Sequence, residues 1–271
     1  MNYKLGITQW CLPGNYDFTL KIAKELGFDA VQLEFGSYDK GMALSHKRLC
    51  DLYIKESKEL GIELVPIAVN ALCQYGVVDG FDTEKGKIAK DTIKAAVEAA
   101  AYLGTKGVTM PSFGAGVIKN EAHYENTVEA LKFACEEAKN TDVLVYTENV
   151  LDAKEMTKLF ADCGKENLRL LFDSQNYSVF GHDYAVDVLK THFDKLGNHL
   201  HVKDGKEKMG VMLLGTGSSP FNEVMEVLKE KNYSGAIIIE NGYSSLPLCA
   251  AGKDVFELVE KDIETIRNFM K

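Results

Sequence analysis

The strongest constraint in this sequence is a rhythm: eight short apolar runs alternate with eight amphipathic segments along all 271 residues. The runs predict strands at 4–9, 29–34, 62–69, 107–110, 142–147, 168–172, 198–202 and 235–239. The intervening segments predict helices near 17–26, 44–60, 84–104, 120–139, 152–163, 182–195, 220–231 and 253–270. Each helix follows an apolar spacing of three to four residues, as in Ile88, Ile93, Ala96, Val97, Ala100 and Leu103. Gly27, Gly61, Gly104 and Gly164 stand where left-handed caps would stop four of them. Eight strand–helix units in a chain of this length imply an α/β protein, a single (β/α)8 TIM barrel filling residues 1–271 as one domain. A doubly wound open sheet would want a glycine-rich turn after the first strand, and Gln9-Trp-Cys-Leu-Pro-Gly14 contains no GxGxxG. No linker or low-complexity stretch divides the chain.

The longer loops, 70–83, 204–219 and 241–252, all follow strands, whereas the turns after helices are short. A barrel with a working face and a structural face has this asymmetry. On that working side, four residues close consecutive strands. Glu148 follows Val143-Leu-Val-Tyr-Thr147, and Asp173 follows Leu168-Arg-Leu-Leu-Phe172. His201 follows Asn198-His-Leu200, and Glu240 follows Ala236-Ile-Ile-Ile239. A lone acid at a strand end reads equally well as a helix cap, as for Glu34 after Val31-Gln-Leu. Three carboxylates drawn to one side of a barrel mouth repel one another, and a cation removes the conflict. Oxygen-rich coordination with one imidazole suits a single divalent ion, Mn²⁺, Mg²⁺, Co²⁺ or Zn²⁺, with about two positions left for substrate oxygens.

Composition narrows the function classes. The net charge is −9 and no Lys/Arg block stands apart, so nucleic acid is not the expected partner. The six cysteines, at 11, 50, 73, 135, 163 and 249, form no CxxC pair and read as reduced thiols. The first residues lack a signal-peptide layout, and no apolar run reaches membrane-spanning length. A soluble cytoplasmic protein is expected, with no membrane partner and a homo-oligomer admitted.

The ordered set Thr147-Glu148-Asn149, Phe172-Asp173-Ser-Gln-Asn176, His201-Val-Lys-Asp204 and Ile239-Glu240-Asn241 resembles the sugar phosphate isomerase/epimerase family of xylose-isomerase-like TIM barrels. Leu214-Gly-Thr-Gly217 before Phe221 adds to the resemblance, which spans nearly the whole chain. That family includes ketose 3-epimerases, hydroxypyruvate isomerase, inosose dehydratase and endonuclease IV. The resemblance implies a small sugar or polyol as substrate and Glu148, Asp173, His201 and Glu240 as metal ligands, with Glu148 and Glu240 also acting as acid and base. Two positions depart from the family pattern. Asn176 stands where Asp-x-x-His places its histidine, and Glu207, between Lys206 and Lys208, replaces an arginine of the epimerases. The extra histidines of a trinuclear endonuclease site are absent from strands three and four, which end in Val69-Asn70 and Met110-Pro111-Ser112.

The chemistry expected is proton removal next to a metal-polarised carbonyl, giving an enediolate stabilised by the ion. Return of the proton to the other carbon is isomerisation and return to the opposite face is epimerisation, whereas loss of a β-hydroxyl is dehydration. A metal-dependent isomerase or epimerase leads, ahead of an inosose-type dehydratase and a catalytically silent sugar-binding barrel. Gln9, Trp10, Glu34, Asn70 and Asn176 are candidate substrate contacts. Lys203 and Lys208 are candidates for an oxyanion or an acidic substituent, against the reading of solvated loop charges. Gly215-Thr-Gly217 offers a weak phosphate-accepting turn. His46, His123, His182, His192 and His199 fall on helices or out of phase with His201 and receive no role.

Overall fold

The computed structural model describes residues 3–12, 18–250 and 252–271. The expected helix 17–26 therefore begins outside the described residues, as do positions 13 and 14 of the first strand's loop. The chain forms two compact units, residues 1–32, 60–63 and 172–271 in the first and 33–59 and 64–171 in the second.

In the first unit, β1 (Lys4–Thr8), β7 (His199–Val202), β8 (Ala236–Ile239) and the start of β2 (Ala30–Glu34) pair in parallel, in the order β7-β8-β1-β2. The register sets Thr8 beside Gln32, Ile7 beside Ile239 and Val202 beside Ile239. Ile237, Ile238 and Ile239 are all fully buried, because a parallel strand is covered on both faces. Among the described residues its α-helices are α1 (Thr19–Glu25), α7 (Asn176–Val179), α8 (Ala185–Thr191), α9 (Phe221–Glu230) and α10 (Val255–Phe269).

The second unit carries most of β3 (Glu63–Ala68), then β4 (Gly107–Pro111), β5 (Leu144–Glu148) and β6 (Leu168–Leu170), paired in parallel in that order. Here lie α2 (Lys47–Leu60, all but its last residue), α3 (Leu72–Tyr75), α4 (Glu84–Leu103), α5 (Glu121–Glu137) and α6 (Ala153–Cys163). In α4 the Thr83 side chain caps the N–H of Gly86, Ala89, Ile93, Ala96, Val97, Ala100 and Leu103 form the buried stripe, and Gly104 ends the helix at φ 74°. A non-glycine residue would be strained in that left-handed cap. Asp152 and Glu155 close a reciprocal capping box on α6, which satisfies two N–H groups at its first turn.

Each of the eight expected strands is present; β4 and β5 run one residue further than expected, to Pro111 and Glu148, the other six are trimmed at one or both ends, and each expected long helix is shorter by one to several residues. Two single-turn helices, α3 and α7, sit inside stretches expected as loops. Among the described residues no helix is long and apolar enough to cross a membrane.

Candidate metal centre

Asp173, His201 and Glu240 meet in the first unit because three neighbouring chain segments stop in register. Asp173 lies beyond the end of β6 in a parallel bridge with His201, whose N–H donates to Phe172 O at 2.8 Å. Glu240 follows β8 directly, and its N–H donates to Val202 O at 2.9 Å. Each of the three offers a ligand atom within 4.8 Å of the others. His201 Nδ1 is 3.3 Å from Glu240 Oε2 and 4.0 Å from Asp173 Oδ2.

Asp173 shows why a cap and a ligand are compatible readings of one carboxylate. Its Oδ1 accepts the N–H groups of Gln175 (2.8 Å) and Asn176 (2.7 Å), which turns the chain into α7. Its Oδ2 is buried, takes no backbone N–H, and lies 3.2 Å from the Lys203 ammonium and 4.0 Å from His201 Nδ1. Such an oxygen beside an imidazole nitrogen and a second carboxylate fits a divalent cation by position and by donor chemistry.

Lys203 supplies positive charge to the same cluster. Its ammonium, on a side chain only 6% exposed, lies 2.5 Å from Glu240 Oε2 and 3.2 Å from Asp173 Oδ2. Burial works against the Glu240 charge, yet the Lys203 ammonium holds its carboxyl below the ordinary glutamate range. Burial raises the Asp173 pKa, with Lys203 opposing and Glu240 adding to the rise. Trp10 completes the hold on Glu240: its indole N–H donates to Oε1 at 3.1 Å, and its ring meets His201 edge-on at 6.5 Å.

The other sequence candidates are placed as follows. Gln9 is buried in the turn after β1. Asn176 is buried at the start of α7, where its N–H serves Asp173. Lys208 is exposed, and its carbonyl accepts from Gln175 Nε2 at 3.1 Å. In the second unit, Glu34 ends β2 and Asn70 follows β3, both half-buried. Glu148 closes β5, is buried, pairs in register with Pro111, and accepts the Ser112 N–H on its carbonyl at 2.8 Å.

Two expectations are corrected. The Gly215-Thr-Gly217 turn is not open to phosphate, because Asp204 already fills it. Asp204 Oδ2 accepts the Gly217 N–H at 2.9 Å, and Oδ1 accepts those of Ser219 (3.1 Å) and Gly205 (2.8 Å). A side chain at 217 would collide with that carboxylate, which accounts for the glycine. His199 is also in phase with His201, not out of it: residues two apart on a strand share a face, and the two rings lie 6.1 Å apart.

Several buried polar residues around the centre escaped sequence reasoning. Gln175 ties the loop after β6 to the loop after β7, its Oε1 accepting the Gly210 N–H at 2.8 Å. Ser174 exchanges hydrogen bonds with the Lys203 backbone at 3.0 and 3.1 Å. Asn241 accepts the Asp204 N–H at 3.0 Å and donates to Asp262 at 2.7 Å. The signal available was the density of polar residues just after strands, in Asp173-Ser-Gln-Asn176 and Glu240-Asn241, where a solvated loop has no need of them.

The chain belongs to the xylose isomerase-like TIM barrel family, whose model matches residues 20–269. It is similar to the 2-epi-5-epi-valiolone 7-phosphate 2-epimerase of an Actinoplanes species, 26% identical over 246 residues that cover 90% of this chain and 88% of the relative. It is also similar to the inosose dehydratase of Clostridium perfringens, 29% identical over 154 residues, covering 48% of this chain and 51% of the relative. Among solved structures, a D-psicose 3-epimerase from Clostridium cellulolyticum with D-tagatose superposes with a TM-score of 0.79 at 16% identity, covering 99% of both chains. The 3-keto-D-glucoside 4-epimerase of E. coli superposes at 0.76 with 19% identity, over 98% of this chain and 99% of that one. At those identities the structures establish the fold, and the eight-strand expectation is met.

Proposed function

We propose that this protein is a divalent-metal-dependent epimerase of a polyhydroxy ketone, with Glu148, Asp173, His201 and Glu240 as the ligand set. The observation that carries the reading is the buried junction of Asp173 Oδ2, His201 Nδ1 and Glu240 Oε2. Glu148 enters as the fourth ligand because it closes β5 as the others close their segments, and because Leu171, two residues before Asp173, donates its N–H to Thr147 O at 3.0 Å. The epimerase similar over most of the chain supports the reaction class. Valiolone phosphate and inosose, named by the two relatives, are both polyhydroxy ketones.

A cation bound here would polarise a substrate carbonyl and so acidify the neighbouring C–H. The protein's own groups do the rest. Glu240 is kept ionised by Lys203 and aimed by the Trp10 N–H, as a base must be. Glu148 is the partner carboxylate that returns a proton to the opposite face. Lys203 places a buried ammonium where negative charge builds on substrate oxygen. Gln9, Trp10, Glu34, Asn70, Asn176 and Lys208 are proposed as contacts to hydroxyl or acidic groups. The one-domain organisation and cytoplasmic setting expected from the sequence belong to the same proposal.

Dehydration is the second reading, favoured by the half-length similarity to inosose dehydratase. It shares the first proton removal, so the product decides. Manganese-loaded protein incubated in D2O with cyclic and linear polyhydroxy ketones, free and phosphorylated, is expected to place deuterium at a carbon that keeps its hydroxyl. Loss of a hydroxyl would instead establish a lyase. Neither exchange nor turnover across the panel would leave a sugar-binding barrel.

A further inference from the structure

We infer that Gln32, on β2, sets which nitrogen of His201 faces the carboxylates. The inference rests on the metal reading above and concerns a residue to which neither sequence motif nor family resemblance gave a role. Gln32 is fully buried, in register with Thr8, and its amide lies between the two imidazoles of β7. Its Oε1 is 2.6 Å from His201 Nε2, and its Nε2 is 3.3 Å from His199 Nε2.

An amide oxygen only accepts and an amide nitrogen only donates. His201 therefore carries a proton on Nε2 and gives it to Gln32, which leaves Nδ1 directed at Glu240 and Asp173. His199 accepts from Gln32 at Nε2 and carries its own proton on Nδ1. His199 Nε2 is thus the partner of the amide nitrogen while the amide oxygen meets His201 Nε2. With the amide reversed, its NH₂ would occupy His201 Nε2 and drive the proton to Nδ1, against the carboxylates. That arrangement withdraws the lone pair a cation needs. Gln32 is a positioning residue acting through His201.

Ring-nitrogen NMR of ¹⁵N-histidine-labelled, metal-free full-length protein tests this directly. The wild type is expected to show His201 protonated at Nε2 and His199 protonated at Nδ1. Gln32→Glu keeps the acceptor for His201 but removes the donor to His199. His201 should retain its pattern while the His199 proton moves to Nε2. Gln32→Leu removes both partners, so His201 should distribute its proton over both nitrogens. Its Mn²⁺ affinity should fall about 10–100-fold, with Gln32→Glu staying within a few-fold of wild type. A bare Nε2 on His201 in the wild type overturns the inference, and so does a Gln32→Leu protein with wild-type ring shifts and wild-type Mn²⁺ affinity. Should Gln32→Leu fail to fold, the wild type and Gln32→Glu spectra decide. A wild type that binds no Mn²⁺ sinks the metal reading, and the ring nitrogens still decide the role of Gln32.

Discussion

Asp262 on α10 is a fully buried carboxylate that organises the loops beyond β7 and β8, and replacing it by asparagine yields a pH-dependent stability change of known sign. Its Oδ1 accepts the Leu214 N–H at 2.8 Å, while Oδ2 accepts Asn241 Nδ2 and the Tyr243 hydroxyl, both at 2.7 Å. Burial pushes its pKa up to about 6, against the pull of those three donors. In Asp262→Asn one side of the group becomes an NH₂ facing Asn241 Nδ2, a donor against a donor. The Tyr243 hydroxyl can rotate to accept, so one buried donor loses its partner, at a cost of about 1–3 kcal/mol. A raised folded-state pKa contributes stability that is complete below the unfolded value of 3.8 and lost as pH rises through about 6. The variant lacks that contribution, so its deficit against wild type should shrink by about 1 kcal/mol between about pH 5 and about pH 7.5. Urea unfolding followed by fluorescence of Trp10, the single tryptophan, measures both deficits. Other titrating groups cancel in the difference. A deficit that is constant with pH, or grows as pH rises, would refute the reasoning.

Lys203→Met should destabilise the metal-free protein by about 3–5 kcal/mol, because Asp173 and Glu240 lose their buried counter-charge. Added Mn²⁺ should recover much of that loss, and equal metal-free stability in the two proteins would contradict the role of Lys203. Glu148→Gln and Glu240→Gln should each lower kcat by at least about 100-fold, as removal of a general acid or base does; an active variant dismisses that residue from proton transfer. Since Trp10 donates to Glu240, Mn²⁺ binding should change tryptophan emission in the wild type and not in Glu240→Gln. For the single-domain proposal, fluorescence and far-UV circular dichroism should report one coincident unfolding transition, and two separated transitions would show that the units unfold independently.

The parts of this architecture legible in the sequence are those set by local pattern. The apolar period locates α4, the glycine at 104 ends it, and the run Ala236–Ile239 followed by an acid locates β8 and Glu240. What stayed hidden depends on side chains meeting across long separations. Gln32 reads as an ordinary strand residue, yet its partners are 167 and 169 residues away. Asp204 lies within the His201-Val-Lys-Asp204 motif, but nothing local says that its carboxylate fills the turn at 217–219. Lys203 gives no sign in the sequence that its ammonium turns inward between two carboxylates, because a lysine in a loop is solvated by default. Asp173 is the intermediate case: its capping role follows from its place before α7, whereas the direction of Oδ2 follows from pairing with β7.

The central claim is that one divalent ion is held by Glu148, Asp173, His201 and Glu240. Calorimetric titration of chelator-treated protein with Mn²⁺, on the wild type and on the four single alanine variants, tests it most directly. The expected result is one ion per chain in the wild type and affinity reduced at least tenfold, about 1.4 kcal/mol, in every variant. Absence of binding in the wild type, or wild-type affinity in all four variants, would contradict it.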